Sequence, residues 1–216
     1  PNQRKVHQKI MPRMGGLAIY LAFFAVVLVV MPLTKELVGL FLGSTILIAI
    51  GIWDDRKDIP PKVKLLGQIA AAVVAVLFGV RVEFMSSLFS DNAFHLAAFS
   101  IPVTIIWIVG ITNAVNLIDG LDGLAAGTSI IAAVTMAIVG STHAQQTMMM
   151  LAVILAGATL GFLQHNFHPA KIFMGDTGSM FLGYILSVLA IMGVAKSVTF
   201  ISLVTPILVL GIPIFD

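Results

Sequence analysis

Carboxylates and side-chain amides occur in two short strings of this chain, each beside a long apolar segment. In the first string Asn113, Asn116, Asp119 and Asp122 follow one another at intervals of three residues. In the second, Asp176 stands in Gly-Asp-Thr-Gly. A carboxylate at the bilayer centre costs on the order of 2.5–3.5 kcal/mol on insertion scales, so such groups usually face a protein interior or a water-filled site. Clustered aspartates in this setting indicate a site for a hard cation and for the phosphates that it carries.

A third group of charged residues follows the second apolar segment. Asp54 and Asp55 are adjacent, and Lys62 and Lys64 come shortly after them. Adjacent carboxylates repel each other unless a cation lies beside them, and lysines hold phosphate oxygens as point charges. This group is therefore a second candidate for metal and phosphate binding. The alternative is the charged end of an ordinary membrane helix.

Each of the first two strings also has a purely structural interpretation. Asn113 and Asn116 could join helices through interhelical hydrogen bonds in lipid. Asp176 and Thr177 could simply cap the helix that follows them. The combination of two aspartates and two glycines within one turn favours a functional site for the first string.

Composition places these residues in a membrane protein. The chain has 216 residues, 59% of them hydrophobic and 10% charged, with a mean hydropathy of +1.06. A soluble domain carries about 25% charged residues. The absence of cysteine excludes disulfides and thiolate metal sites. A net charge of +2, without a basic stripe interleaved with aromatic residues, argues against a nucleic-acid partner.

Apolar runs of about 17–25 residues predict membrane-spanning helices, because helices satisfy all of their backbone hydrogen bonds internally. We expect an all-α polytopic membrane protein with about eight spans and a short hairpin near residues 81–95. We expect a single domain over residues 1–216, a core truncated at both ends. The predicted spans are 15–32, 37–53, 65–80, 101–118, 124–140, 147–163, 178–195 and 198–215.

The distribution of basic residues predicts the sidedness. If the spans alternate in direction, all 12 lysines and arginines except Lys35, Arg81 and Lys196 fall on one side. The positive-inside rule assigns that side to the cytoplasm. The aspartates of all three strings fall on the same side. We therefore expect one site at the cytoplasmic membrane boundary.

Four strings of the sequence resemble the polyprenyl-phosphate N-acetylhexosamine-1-phosphate transferases, in order from the first residue to the last. They are PNQRKVHQKIMPRMGG, DDRKDIPPKVKLLGQ, NAVNLIDGLDGLAAG and NFHPAKIFMGDTGS. Ile118 and the HPAKIF wording are similar to the branch that starts wall teichoic acid or related glycan synthesis. The branch that makes the first peptidoglycan lipid intermediate, the phospho-MurNAc-pentapeptide transferases, usually reads differently at both places.

The resemblance implies a reaction. UDP-GlcNAc and undecaprenyl phosphate give undecaprenyl-diphosphate-GlcNAc and UMP at the cytoplasmic face of the bacterial plasma membrane. The resemblance also implies Mg²⁺, which Mn²⁺ could replace, about ten or eleven helices in the complete protein, and frequent homodimers. It further implies a histidine-containing loop beyond Asp216.

The resemblance also assigns roles to residues. Asp176 with Asn116 would bind the metal, and Asp54, Asp55 and Asp119 would be the catalytic residues beside the lipid phosphate and the diphosphate. The expected substrate contacts are Lys9, Lys64, Asn113, Asp122, Asn166 and Phe173.

Two other classes remain as alternatives. A transporter or channel would also carry intramembrane carboxylates, although near the midplane and often in related halves. The other alternative is a membrane scaffold without chemistry, in which the aspartate strings would have no function.

Overall fold

A computed structural model describes residues 12–82, 84–86 and 93–194. Seven α-helices lie in these ranges and coincide with seven of the predicted apolar runs. The eighth run, 198–215, and Lys9 lie outside the described residues. The helices are α1 Gly15–Val30, α2 Lys35–Lys57, α3 Pro61–Leu77, α4 Ser100–Ile118, α5 Leu124–Thr142, α6 Gln146–Asn166 and α7 Gly175–Val194.

Local sequence accounts for several helix ends. Thr34 begins α2 by accepting a hydrogen bond from Leu37 N at 3.3 Å. Asp58 ends α2 in a left-handed conformation with φ 44°. Pro61 occupies the first turn of α3, where a missing N–H leaves no hydrogen bond unmade. Consecutive helices alternate in direction, so the end of α2 and the starts of α1, α3 and α7 meet at one end of the bundle.

The central helix is α7. It packs against α1, α2, α4, α5 and α6. In its most apolar stretch of 18 residues 83% is buried, whereas the corresponding share is 33–44% in α2, α4, α5 and α6. Phe181, Tyr184 and Ile185 are fully buried on it. The outer helices expose large apolar side chains such as Ile106 and Ile131, which suits contact with lipid.

Five of the described helices, α2, α4, α5, α6 and α7, are long and apolar enough to cross a membrane. The chain is therefore an all-α polytopic membrane protein, as predicted. With 16 residues, α1 is about 24 Å long at 1.5 Å per residue, which is short of a ~30 Å hydrocarbon core. The number of eight spans remains a prediction.

A short hairpin joins α3 to α4, close to its predicted place. Strand β1, Phe84–Ser86, pairs antiparallel with β2, Ala93–His95, in the register Phe84 to His95. A 3₁₀ turn, Ala97–Phe99, then leads into α4. Since the hairpin follows the end of α3, it lies at the end of the bundle opposite the aspartates.

Candidate active site

The charged residues of α2, α3 and α7 meet at one point. Lys64, in the first turn of α3, places its Nζ 2.7 Å from Asp54 Oδ2 and 2.5 Å from Asp176 Oδ2. Asp54 is buried, and its Oδ1 accepts a hydrogen bond from Ile59 N at 2.9 Å. That bond holds the loop between α2 and α3 close to the carboxylate. Two aspartate strings that lie 122 residues apart in sequence are thus joined through one ammonium group.

Asp55 faces a different neighbour from Asp54. Its Oδ1 accepts a hydrogen bond from Asp176 N at 3.0 Å. Its Oδ2 accepts from Thr177 N at 3.2 Å and from the Thr177 hydroxyl at 2.6 Å. Asp55 therefore binds the start of α7, although it belongs to α2.

Glycines allow α7 to begin against α1 and α2. A Cβ at Gly16 would overlap the backbone of Gly178, and one at Gly51 would overlap the backbone of Thr177. Small residues of this kind let helix backbones approach closely in membranes. Gly15 N also donates to Phe173 O at 3.1 Å, so the start of α1 is fixed to the loop before α7.

Asn116 and Asp119 approach the same cluster from α4. Asn116 Nδ2 donates to Ser179 Oγ at 2.8 Å, one turn along α7 from Gly175. Asp119 follows the last residue of α4 and is half-buried. Burial, and then the negative charges of Asp176 and Asp55, raise the pKa of Asp119 to about 7.

Asn113 lies deeper in the bundle and pairs with a side chain that we did not predict. Its Nδ2 donates to Gln68 Oε1 at 2.6 Å, and Gln68 Nε2 donates to Asn113 Oδ1 at 3.2 Å. Gln68 is buried. It is the one polar side chain in the predicted run 65–80, so the sequence held a signal for this contact.

Two other predicted substrate contacts lie at this end of the bundle, Asp122 in the loop after α4 and Asn166 at the last residue of α6. Asp122 Oδ2 lies 3.1 Å from both His168 Nδ1 and Ala170 N. Asn166 is buried, accepts a hydrogen bond from Gly123 N at 3.1 Å, and donates to Ile172 O at 2.9 Å. These two side chains join the loop between α4 and α5 to the loop between α6 and α7.

The donor set suits a magnesium ion that is completed by substrate. Asp54, Asp55, Asp119 and Asp176 are four carboxylates, and Lys64 is the ammonium group among them. Within the part of the chain that the structure describes, no three His, Cys, Asp or Glu side chains are arranged to hold a metal ion. Mg²⁺ needs only one or two carboxylates, with waters and substrate phosphates as its other ligands. One or two of the four carboxylates would therefore be enough for such an ion.

Comparison with known proteins identifies the family. Residues 37–194 match the description of glycosyl transferase family 4. The chain belongs to this family. The matched segment begins in the first turn of α2 and ends at the last residue of α7. It therefore includes every helix that supplies a carboxylate to the candidate site.

Curated proteins that are similar to this chain agree with the resemblance. A probable undecaprenyl-phosphate N-acetylglucosaminyl 1-phosphate transferase of Bacillus subtilis is 49% identical over 217 residues, covering 100% of this chain and 61% of its own. A decaprenyl-phosphate N-acetylglucosaminephosphotransferase of Mycolicibacterium smegmatis is 39% identical, covering 86% and 50%. A phospho-N-acetylmuramoyl-pentapeptide-transferase of Streptococcus pneumoniae is 35% identical, covering 83% and 58%. The chain thus spans between half and three-fifths of these relatives' length.

Proposed function

We propose that this family 4 chain is the core of an enzyme that transfers GlcNAc-1-phosphate from UDP-GlcNAc to undecaprenyl phosphate. The product, undecaprenyl-diphosphate-GlcNAc, would serve wall teichoic acid or a related envelope glycan. The observation that carries the proposal is the cluster of Asp54, Lys64 and Asp176 at one end of a membrane bundle. The 49% identity with the Bacillus subtilis protein supports the choice of sugar and lipid.

The position of the cluster suits two substrates of opposite character. Undecaprenyl phosphate reaches an enzyme from the bilayer, whereas a charged nucleotide sugar arrives from water. Only the membrane boundary serves both, and the cluster lies where helices of the bundle end. We propose that this boundary is cytoplasmic, because Arg13, Arg56, Lys57, Lys62, Lys64 and Lys171 lie at this end among the described residues.

The residues have separate roles in this proposal. Lys64 would exchange its contact with Asp176 for the phosphate of the lipid, while Asp54 would hold Lys64 in place. Asp176 and Asn116 would bind Mg²⁺ or Mn²⁺, which would supply neutralisation of the phosphate charge. Asp119 would lie beside the diphosphate. Asn113, Asp122, Asn166, Phe173 and Lys9 remain predicted substrate contacts.

The lipid phosphate can attack directly. A phosphate monoester has a second pKa of about 6, so it is mostly dianionic at neutral pH and hardly needs a base. Its oxygen would form a bond to the phosphorus next to the sugar, while the bond between the two phosphates breaks and UMP leaves. Incubation of the enzyme with labelled UDP-GlcNAc but no lipid should give no covalent adduct. A trapped aspartyl intermediate would contradict direct attack.

The proposed function is tested with the full-length protein, purified in detergent. UMP release is measured with undecaprenyl phosphate and a panel of UDP-GlcNAc, UDP-GalNAc and UDP-MurNAc-pentapeptide, each with and without Mg²⁺. We expect UMP from UDP-GlcNAc with Mg²⁺, and none after Asp176→Ala. Asp58→Asn is the matched control, because Asp58 is an exposed acid at the end of α2.

Other results would favour the alternatives. Release of UMP from UDP-MurNAc-pentapeptide alone would place the protein with the pentapeptide transferases, to which the Streptococcus pneumoniae relative belongs by its name. Ion flux in proteoliposomes without any UMP release would support a transporter.

A further inference from the structure

We infer that Asp55 is a positioning residue that caps α7 from the neighbouring helix and thereby orients Asp176. The inference deepens the proposed function and rests on one part of it, the role of Asp176 as a metal ligand. It separates the two adjacent aspartates, which the sequence presents as an equivalent pair. Asp54 contacts Lys64, whereas Asp55 accepts hydrogen bonds from the backbone of α7.

The hydrogen bonds of Asp55 carry this inference. Both of its oxygens accept hydrogen bonds from the first turn of α7: the N–H groups of Asp176 and Thr177 and the hydroxyl of Thr177, at 3.0, 3.2 and 2.6 Å. A carboxylate that accepts bonds from helix N–H groups is a strong cap, because these groups have no partner within the helix and carry partial positive charge. Asp55 therefore has the contacts of a cap, with two backbone N–H groups and one hydroxyl of α7 as its partners.

The sequence of α7 provides no cap of its own at this point. Neither Met174 nor Gly175 has a side-chain oxygen, so the N–H groups of the first turn depend on a partner from elsewhere. Gly175 has a φ of 71°, a conformation that favours glycine. A Cβ at Gly175 would lie 2.6 and 2.7 Å from the two oxygens of Asp55. Glycine at position 175 therefore leaves the space in which the Asp55 carboxylate approaches α7.

The cap connects directly to the metal-binding side chain. The N–H that Asp55 binds belongs to Asp176, and the side chain of Asp176 points to Lys64. Loss of the cap would free the first turn of α7, and Asp176 would then have to be ordered by the cation itself. We therefore expect Asp55 to set the concentration of Mg²⁺ that the protein needs.

A double-mutant cycle in the full-length protein tests the cap. The variants are Asp55→Ala, Thr177→Val and the two together. The thermal unfolding midpoint is measured without Mg²⁺ and during a Mg²⁺ titration. Each single variant should lower the midpoint, and the double variant should be no less stable than Asp55→Ala, because both changes remove the same contact. Asp58→Asn combined with Thr177→Val should be additive.

The same titrations measure the link to Asp176. Loss of a helix cap corresponds to a factor of roughly ten in an equilibrium, so Asp55→Ala should raise the Mg²⁺ concentration at half-saturation about tenfold. Asp55→Asn, which keeps one acceptor oxygen, should fall between the wild type and Asp55→Ala and guards against a variant that fails to fold. UMP release by Asp55→Asn should need a higher Mg²⁺ concentration for its half-maximal rate, in step with the shift seen in the unfolding titration.

Two results would overturn the inference. One is additivity of Asp55→Ala and Thr177→Val in the unfolding midpoint. The other is an Asp55→Asn protein with normal midpoint and normal Mg²⁺ titration but no turnover at any Mg²⁺ concentration, as expected of a reacting group. Failure of the proposed function would look different. The wild-type protein would then release no UMP, while the unfolding midpoints would still report on the cap.

Discussion

Lys64 Nζ lies 2.7 Å from Asp54 Oδ2 and so joins the first turn of α3 to the end of α2. The same ammonium group contacts Asp176 at the start of α7. The side chain of Lys64 is 24% exposed, so solvent reaches this pair of contacts. Lys64 therefore contacts Asp176, the carboxylate to which the proposed function assigns the metal ion, and we expect the two cations to compete for it.

Removal of this ammonium should strengthen Mg²⁺ binding and weaken turnover. In Lys64→Gln the carboxylates of Asp54 and Asp176 lose a positive neighbour. A partly exposed pair is worth up to about 1 kcal/mol, which corresponds to roughly fivefold tighter Mg²⁺ binding. Turnover should fall at least about tenfold, because the phosphate loses its point charge. Mg²⁺ titration of the unfolding midpoint and UMP release measure the two effects.

Lys62→Gln is the matched control, since it removes an equal charge from an exposed side chain two residues away. It should leave both quantities near their wild-type values. Weaker Mg²⁺ binding in Lys64→Gln would show that the lysine supports the metal rather than competes with it.

Length and hydropathy were sufficient to predict where the seven described helices lie. A helix that crosses a bilayer must be apolar over a fixed length, so each run marks its helix directly. The meeting of Asp54 with Asp176 was also predictable, because alternating spans bring every second helix end to one side. Neither prediction needed the packing of one helix on another.

The partners of individual side chains could not be predicted in the same way. Asp54 and Asp55 are adjacent, and neighbouring residues on an α-helix point about 100° apart at 3.6 residues per turn. Which of them faces α3 and which faces α7 depends on the rotation of α2, and that rotation is set by contacts such as Gly51 against Thr177. For the same reason the sequence marks Gln68 as a polar residue in an apolar run, but its partner Asn113 is identified only by the structure.

Gly16 should be intolerant of even a methyl group. A Cβ at Gly16 overlaps the backbone of Gly178, and the start of α7 cannot move without disturbing Asp176. Overpacking of this kind costs about 1–3 kcal/mol, so Gly16→Ala should lower the unfolding midpoint by several degrees. Gly157→Ala is the control, since nothing lies within 4 Å of its added Cβ. Equal midpoints for the two variants would contradict the close approach of α1 to α7.

The pairing of Gln68 with Asn113 should behave as one unit. Gln68→Leu leaves Asn113 Oδ1 without the donor that Gln68 supplies, while Asn113 Nδ2 keeps its bond to Val109 O at 2.9 Å. An unsatisfied polar group inside a protein costs about 1–3 kcal/mol. Asn113→Leu should have a similar effect. The double variant should lose less stability than the sum of the two, because both polar groups are then gone. Chemical unfolding of all four proteins in the same detergent gives the coupling, and strict additivity would exclude a direct bond.

Asp119 should make Mg²⁺ binding depend on pH near neutrality. Burial and the charges of Asp176 and Asp55 raise its pKa to about 7, so without a metal it is half protonated there. A cation favours the ionised form, and its binding must therefore release the proton. If only the ionised form binds Mg²⁺, the affinity rises about tenfold from about pH 6 to about pH 8 and levels off above.

Calorimetry in buffers of different ionisation enthalpy counts the released protons. Asp119→Asn should abolish both the rise and the release, whereas Glu36→Gln, at the other end of α2, should preserve them. An affinity that stays flat in the wild-type protein would show that Asp119 does not sense the metal.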